Sequence, residues 1–321
     1  MSQGTRRRFF NDDSFWNQPI PTDAEADPRS EHFTDLLMES RHGPGFGINL
    51  YRYTIPVYEV DDRTPKRRIH QRRHFHQGKY KLWGEPFSHG PGFGPEIPIP
   101  DDAQPDPDGD HHMAMVDWKN RKAWDMWAVG RRADGEWESA TGMTYDLDGD
   151  GVFKREWFDI QPGESIHFYG PSRASGVPAL AGLILYDEVA SGRIEHKLAF
   201  ASPKNAYLEF VWPATWTDGH LEGGIPEGTV IQLDPELDLE QFKLDRGGRV
   251  VARALQEYGA VNTDNAGGNA LYGEHLCARP GLDWEGLLDP FSIAHIEAKH
   301  YRVLKLGEII RGGMTRKPVG T

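Results

Sequence analysis

Residues Asp110–Trp127, DHHMAMVDWKNRKAWDMW, place two imidazoles (His111, His112), three carboxylates (Asp110, Asp117, Asp125) and three indoles (Trp118, Trp124, Trp127) close together. Imidazoles and carboxylates transfer protons, and flat aromatic rings offer faces on which sugars stack. Such a set suits a cleft that binds or cleaves a glycan. The same letters also arise structurally, from a buried histidine bonded to backbone and from Asp117 opening a turn. Two short apolar runs around a polar turn read as a β-hairpin. On a strand over 112–118, His112, Ala114, Val116 and Trp118 share one face; His111, Met113, Met115 and Asp117 share the other. Alternation therefore separates His112 from Asp117. The hairpin supplies one wall of a cleft, and the other wall must come from elsewhere.

Two stretches are candidates for that second wall. Residues 258–275, YGAVNTDNAGGNALYGEH, contain Tyr258, Asp264, Asn265, Tyr272 and His275: an acid or base, an amide and two phenols. Gly267 and Gly268 permit close backbone approach to a ligand, although Asp264-Asn265 is also ordinary turn chemistry. His196 lies in the apolar strand IEHKLAF, where a lone histidine is either structural or catalytic.

Two metal patterns are partial. Asp146, Asp148 and Asp150 occupy positions 1, 3 and 5 of an EF-hand-like loop, with Gly151 at position 6. Position 12 is Trp157, where calcium needs a bidentate glutamate, so the alternative is an Asp/Gly-rich turn. His74 and His76 alternate as zinc ligands on a strand can, with His70 and His89 nearby and no third ligand at a recognisable spacing. No G-x-S-x-G, Walker or dinucleotide fingerprint occurs. The two GPGFG segments, Gly43–Gly47 and Gly90–Gly94, read as loops.

The elements that must position these groups follow from composition. The chain has 321 residues, 38% of them hydrophobic, enough for a sizeable core, and its 36 Gly and 23 Pro indicate many turns. Ten Trp suit either an aromatic groove or a β-core. The predicted fold is mostly β, a sandwich or jelly roll with a few peripheral helices and long loops. It forms one domain over 1–321, with an N-terminal extension (about 1–45) and a C-terminal helical decoration (about 247–300). Strands are expected near 48–60, 113–118, 122–129, 136–145, 164–169, 194–201, 206–212 and 229–233. Helices are expected at Ser30–Glu39, capped by Ser30, at 247–258, ended by Gly259, and at 289–299. A buried segment with a short helical turn should stop at Gly192. The Gly/Pro/Asp-rich loop 84–110 is long enough to be functional.

A formal net charge of −13 opposes a nucleic-acid partner. Lys66–Arg73 (KRRIHQRR) is a local basic cluster, either a solvated loop or a contact for an anionic polymer through Arg72 and Arg73. The single cysteine, Cys277, excludes an intrachain disulfide. Thr5–Phe10 (TRRRFF) has the basic start of an export signal, but Asn11, Asp12 and Asp13 follow instead of an apolar run, so an intact signal peptide is not expected. The protein is then secreted or periplasmic if a signal was removed, and otherwise cytoplasmic. No run approaches the length of a membrane-spanning helix, and no membrane partner is expected.

FWNQPIP (Phe15–Pro21), GDHHMAMVD (Gly109–Asp117), WDMW (Trp124–Trp127), ASGVPALAGLI (Ala174–Ile184), GRIEHKLAF (Gly192–Phe200) and ALQEYGAVNTDN (Ala254–Asn265) resemble segments of a largely uncharacterised bacterial family. Many of its members are actinobacterial and exported. The resemblance implies a β-rich, carbohydrate-active protein and assigns no residue a role.

The leading expectation is an enzyme acting on a polysaccharide or oligosaccharide, a lyase cleaving a uronic-acid-containing glycan by β-elimination. That chemistry needs a base (His112 or His196), an acid (Tyr258 or Tyr272) and a neutraliser (Asn265 with an arginine near 67–73). Trp118, Trp124, Trp127, Asp125, Arg72, Arg73, Tyr272 and His275 are expected to bind substrate. The alternative is a glycoside hydrolase using two carboxylates from Asp110, Asp117, Asp125 and Asp264. A third reading is a non-catalytic carbohydrate-binding or structural protein built on the tryptophans. No cofactor is required; calcium at Asp146, Asp148 and Asp150 is the candidate ion. The testable geometric expectation is that the hairpin, His196 and Tyr258–His275 converge in space.

Overall fold

The strands Leu198–Ser202 and Met113–Asp117 have every residue buried. A strand shielded on both faces needs a layer on each side, and the layers here follow from side-chain alternation. In the computed structural model, which describes residues 7–72, 96–154 and 172–313, Leu198 and Phe200 pack into a core shared with the helices. Ala199 and Ala201 pack oppositely, against Ala114 and Val116 of the hairpin. Met113 and Met115, on the other side of the hairpin strand, enter a third core with Ile69, Ile97 and Trp137.

The central sheet has six strands, in the order Gly47–Asn49, Ala270–Tyr272, Leu198–Ser202, Ala260–Asn265, Val230–Leu233 and Tyr301–Val303. It is mixed: Leu198–Ser202 runs parallel to Ala260–Asn265 and antiparallel to Ala270–Tyr272. The hairpin sheet orders Val57–Glu59, Met113–Asp117, Lys122–Trp127 and Thr141–Asp146. Its central pair is the expected antiparallel hairpin, in register from Met113–Met126 to Asp117–Lys122. A third sheet carries Lys66–Gln71, and a small fourth pairs Asn205–Phe210 with Ile225–Glu227.

Among the described residues this is a mixed α/β fold of several small sheets and a few helices, with no closed barrel. The sheets bear out the expected β content, and the helices make the class mixed α/β. The helices are not peripheral. Arg246–Glu257 buries Val251, Ala252, Ala254 and Leu255 against the central sheet. Asp245 caps its start by accepting from the Gly248 N–H at 2.6 Å, and Gly259 at φ +73° follows its end. Ser30–Met38 buries Phe33 and Leu37 in the same core. Its N-cap is Arg29, not Ser30, because the Ser30 hydroxyl accepts from the Val303 N–H instead. Tyr186–Ser191 stops at left-handed Gly192, as expected. The helix expected at 289–299 is replaced by turns and a single 3-10 turn, Ala298–His300.

The N-terminal segment is likewise part of the core, through Phe9, Phe10 and Trp16. The strand expected at 164–169 lies outside the described residues. Among the described residues no helix is long and apolar enough to cross a membrane.

Leu255 is 1% exposed and packs between helix and sheet. Leu255→Ala should therefore lower unfolding free energy by about 2–5 kcal/mol, read as an earlier urea midpoint at unchanged slope.

Candidate functional site

The hairpin delivers its polar residues at one end. One residue beyond the last register pair, Met113–Met126, come His112 and Trp127, and both line a cleft of about 1170 Å³. Asp110 joins them. His111 takes a left-handed φ of +46°, and its Nδ1 lies 2.9 Å from the Asp106 carbonyl oxygen. The backbone thus turns just before the strand.

Asp264, Asn265 and Tyr272, from the two strands that flank Leu198–Ser202 in the central sheet, line the same cleft. A bulge contributes here. Phe200 pairs with Asn262 but Ala201 pairs with Asp264, so Thr263 is the extra residue in the ladder. Bulges re-aim the side chains that follow them. Asp264 and Asn265 are adjacent in sequence, yet both reach the cleft. The Gly267-Gly268 turn also lines it, with Gly268 closely packed on the His42 ring, where a Cβ would lie 2.3 Å from Cδ2.

The electrostatics are dominated by carboxylates. Burial holds the Asp264 carboxyl well above its usual range, and the negative charges of Asp218 and Asp110 push it the same way. Glu227 is wholly buried and also raised, by burial and then by Asp218 and Asp264. The Tyr272 hydroxyl donates to Asp264 Oδ2 at 3.4 Å; burial and the Asp264 charge raise its pKa. Burial lowers His112 to about 4, outweighing nearby Asp110, so its ring is neutral at pH 7; Nδ1 has no hydrogen-bond partner. Behind this wall lies buried Arg173, 4.5 Å from the Tyr272 ring centroid, donating to the Ala181 carbonyl at 2.7 Å. At the rim Arg52 forks onto Asp108 at 2.6 and 2.7 Å.

Two of the three expected stretches therefore meet, and the third does not. His196 precedes its strand, which begins at Leu198, and is buried away from the cleft. Its Nδ1 lies 2.8 Å from the Lys197 carbonyl oxygen and its Nε2 3.1 Å from Glu188. Tyr258 caps the end of the long helix, outside the cleft. His275 is turned away, with Nε2 at 2.9 Å from the Tyr51 carbonyl and Nδ1 accepting from the Cys277 N–H.

Within the hairpin, Asp117 binds its own turn, accepting from the Asn120 backbone N–H and side-chain amide at 2.9 and 2.7 Å. Asp125 is buried between the sheets, accepting from the Tyr145 hydroxyl and, at 2.6 Å, from the Ala179 N–H. Trp118 stacks on Phe9 at 5.3 Å, and Trp124 packs against the third core. Arg72 donates to the Ala128 carbonyl and pairs with Glu138; Arg73, His74, His76 and His89 lie outside the described residues. Of the expected substrate-binding residues, Trp127 and Tyr272 line the cleft.

The aspartate-rich loop is a turn. Asp146 accepts from the Asp148 N–H, Asp148 pairs with Arg121 at 2.9 Å, and Asp150 accepts from the Val152 N–H and pairs with Lys154. Among the described residues, the acidic group able to hold a divalent cation such as calcium is instead Asp218, Glu227 and Asp264. Sequence reasoning missed Asp218 and Glu227. Both precede a glycine, in TDG and PEG, a turn signal and not a ligand pattern. Gly228 sits at φ +91°, and a Cβ there would lie 1.8 Å from the Val211 carbonyl oxygen, so the backbone after Glu227 requires glycine.

Comparison with known proteins found no matching family model, no matching curated protein and no matching solved structure.

Asp125 generates a pH prediction. Burial raises its pKa to about 7, against the lowering effects of the Ala179 N–H and the Tyr145 hydroxyl. Unfolded, it titrates near 3.9, so between roughly pH 4 and 7 the folded state holds a proton that the unfolded state has released. Its contribution to stability is complete at low pH and falls as pH rises through that window. Asp125→Asn removes this loss. Relative to the parent, the variant should gain stability between pH 4.5 and 7.5 in urea titrations; a constant difference would contradict the assignment.

Proposed function

We propose that the protein cleaves a uronic-acid-containing glycan by β-elimination in this cleft. One observation carries the reading: His112 and, from a second, distant stretch of the chain, Asn265 and Tyr272, a base, an amide and an acid, line one cavity. The cavity exceeds the usual size of a small-molecule pocket, which suits an oligosaccharide. Trp127 and the 70%-exposed Phe291 on its walls offer stacking faces.

In this scheme neutral His112 takes the C5 proton. The electron pair left behind delocalises into the uronate carboxylate as an enolate, where the Asn265 amide donates a hydrogen bond. The pair then forms the C4=C5 double bond, the C4–O bond breaks, and the leaving oxygen takes a proton from the Tyr272 hydroxyl. Arg173, fixed behind Tyr272, replaces the arginine expected near 67–73 as a source of positive charge.

A second reading rests on a different observation: Asp110 and Asp264 line the same cleft. Two carboxylates across a glycosidic bond can hydrolyse it, and an uncharged glycan would not be repelled by them.

The test is a polysaccharide panel. A lyase produces an unsaturated product that absorbs in the ultraviolet. His112→Ala and Tyr272→Phe should each lower kcat by about 10²-fold or more with the melting temperature of Tyr272→Phe near that of the parent. Reducing ends without that absorbance would establish the hydrolase. Binding without cleavage, lost in Trp127→Ala, would leave a carbohydrate-binding protein.

A further inference from the structure

We propose that Asp218, Glu227 and Asp264 bind a calcium ion in the inner wall of the cleft, with part of its coordination sphere open to ligands there. One carboxylate oxygen from each residue lies within 4.8 Å of the other two. Calcium–oxygen distances are about 2.3–2.6 Å, so two ligands on opposite sides of one ion stand about 4.8 Å apart. The trio thus falls within the span of a single ion. Its donors are all hard oxygens, which favour calcium over softer transition metals.

A second observation points to a missing ligand. Glu227 is 0% exposed, and its Oε2 makes no well-formed hydrogen bond, although the nearby Thr217 hydroxyl and Asp218 backbone N–H favour its charged form. Its other oxygen is fixed: Oε1 accepts from the Asn205 amide at 3.0 Å. The same amide nitrogen donates to the Asp264 carbonyl at 2.6 Å, tying the two strands that carry these ligands. Asn205 Oδ1 accepts from Asn262, whose own Oδ1 is buried and unpartnered. Leaving such acceptors buried without a donor or cation is costly.

Asp218 and Asp264 line the cleft while Glu227 stands behind them. Three protein oxygens leave several of calcium's six to eight positions for water or for ligand oxygens entering from the cleft. This role deepens the β-elimination reading and rests on it: the ion would offset the carboxylates that otherwise repel a uronate. The binding site itself does not depend on that reading.

Calorimetric titration of chelator-treated full-length protein with calcium chloride tests the site, with magnesium chloride as the comparison. One calcium per chain is expected, with weaker magnesium binding and a calcium-dependent rise in melting temperature. Glu227→Gln should weaken calcium binding by more than about tenfold through loss of ligand charge, and Asp148→Asn should bind as the parent does. Should Glu227→Gln not fold, Asp218→Asn serves in its place. No calcium binding by the parent, parent-like binding by the folded ligand variant, or loss of binding in Asp148→Asn would each overturn the proposal. Calcium binding without glycan cleavage would sustain the site and remove the elimination reading. Cleavage without calcium binding would do the reverse.

Discussion

No face of the strand Leu198–Ser202 meets water, and the arrangement of the molecule follows from that constraint. Its large residues, Leu198 and Phe200, require a deep apolar layer, supplied by the helices Ser30–Met38 and Arg246–Glu257. Its alanines, Ala199 and Ala201, permit the hairpin sheet to approach closely on the other side. The hairpin strand Met113–Asp117 held this way is itself buried on both faces, and its methionines need a further layer. Polar groups have no place within such a stack unless satisfied, as Asp125 is. The chemistry is thereby displaced to the strand ends, where Asp110, His112, Trp127, Asp264 and Tyr272 gather.

Charge is distributed unevenly around that gathering. Asp110, Asp218 and Asp264 face the cleft, with Glu227 behind. The cations are otherwise placed: Arg52 is bound to Asp108 at the rim, and Arg173 is stacked on Tyr272 within the wall. An interior this acidic stabilises protons or a cation far better than it does an anion. The basic cluster around Lys66 that seemed suited to an anionic glycan belongs to a different sheet. Arg67 pairs with Asp101 and Arg72 with Glu138.

The legible parts of this fold were those set by local pattern. The hairpin, the helix Arg246–Glu257 and the stop at Gly192 all depend on spacing within a few residues. The arrangement of layers was not legible, because alternation shows that a strand has two faces but not what covers each of them. His196 illustrates the limit. Its type suggested catalysis, yet its ring serves Glu188 and a backbone carbonyl, and only tertiary packing decides between those roles. Asp218 and Glu227 were invisible for a related reason. They come from a loop and from the end of the strand Ile225–Glu227, both far from Asp264 in the chain, and no spacing rule joins residues that are united by sheet topology alone.

The bulge at Thr263 divides its strand into two regimes. Before it, Ala260 and Val261 are bound to the core by strict alternation, and a change of residue type there disturbs the packing of two layers. Beyond it, Asp264 and Asn265 stand on a backbone whose phase is no longer dictated by that alternation. Side chains at these two positions line the cleft, while the layers beneath are packed by the residues before the bulge. The extra residue separates the part of the strand that packs both layers from the part that lines the cleft, so the shape of the cleft wall is set independently of the core beneath it.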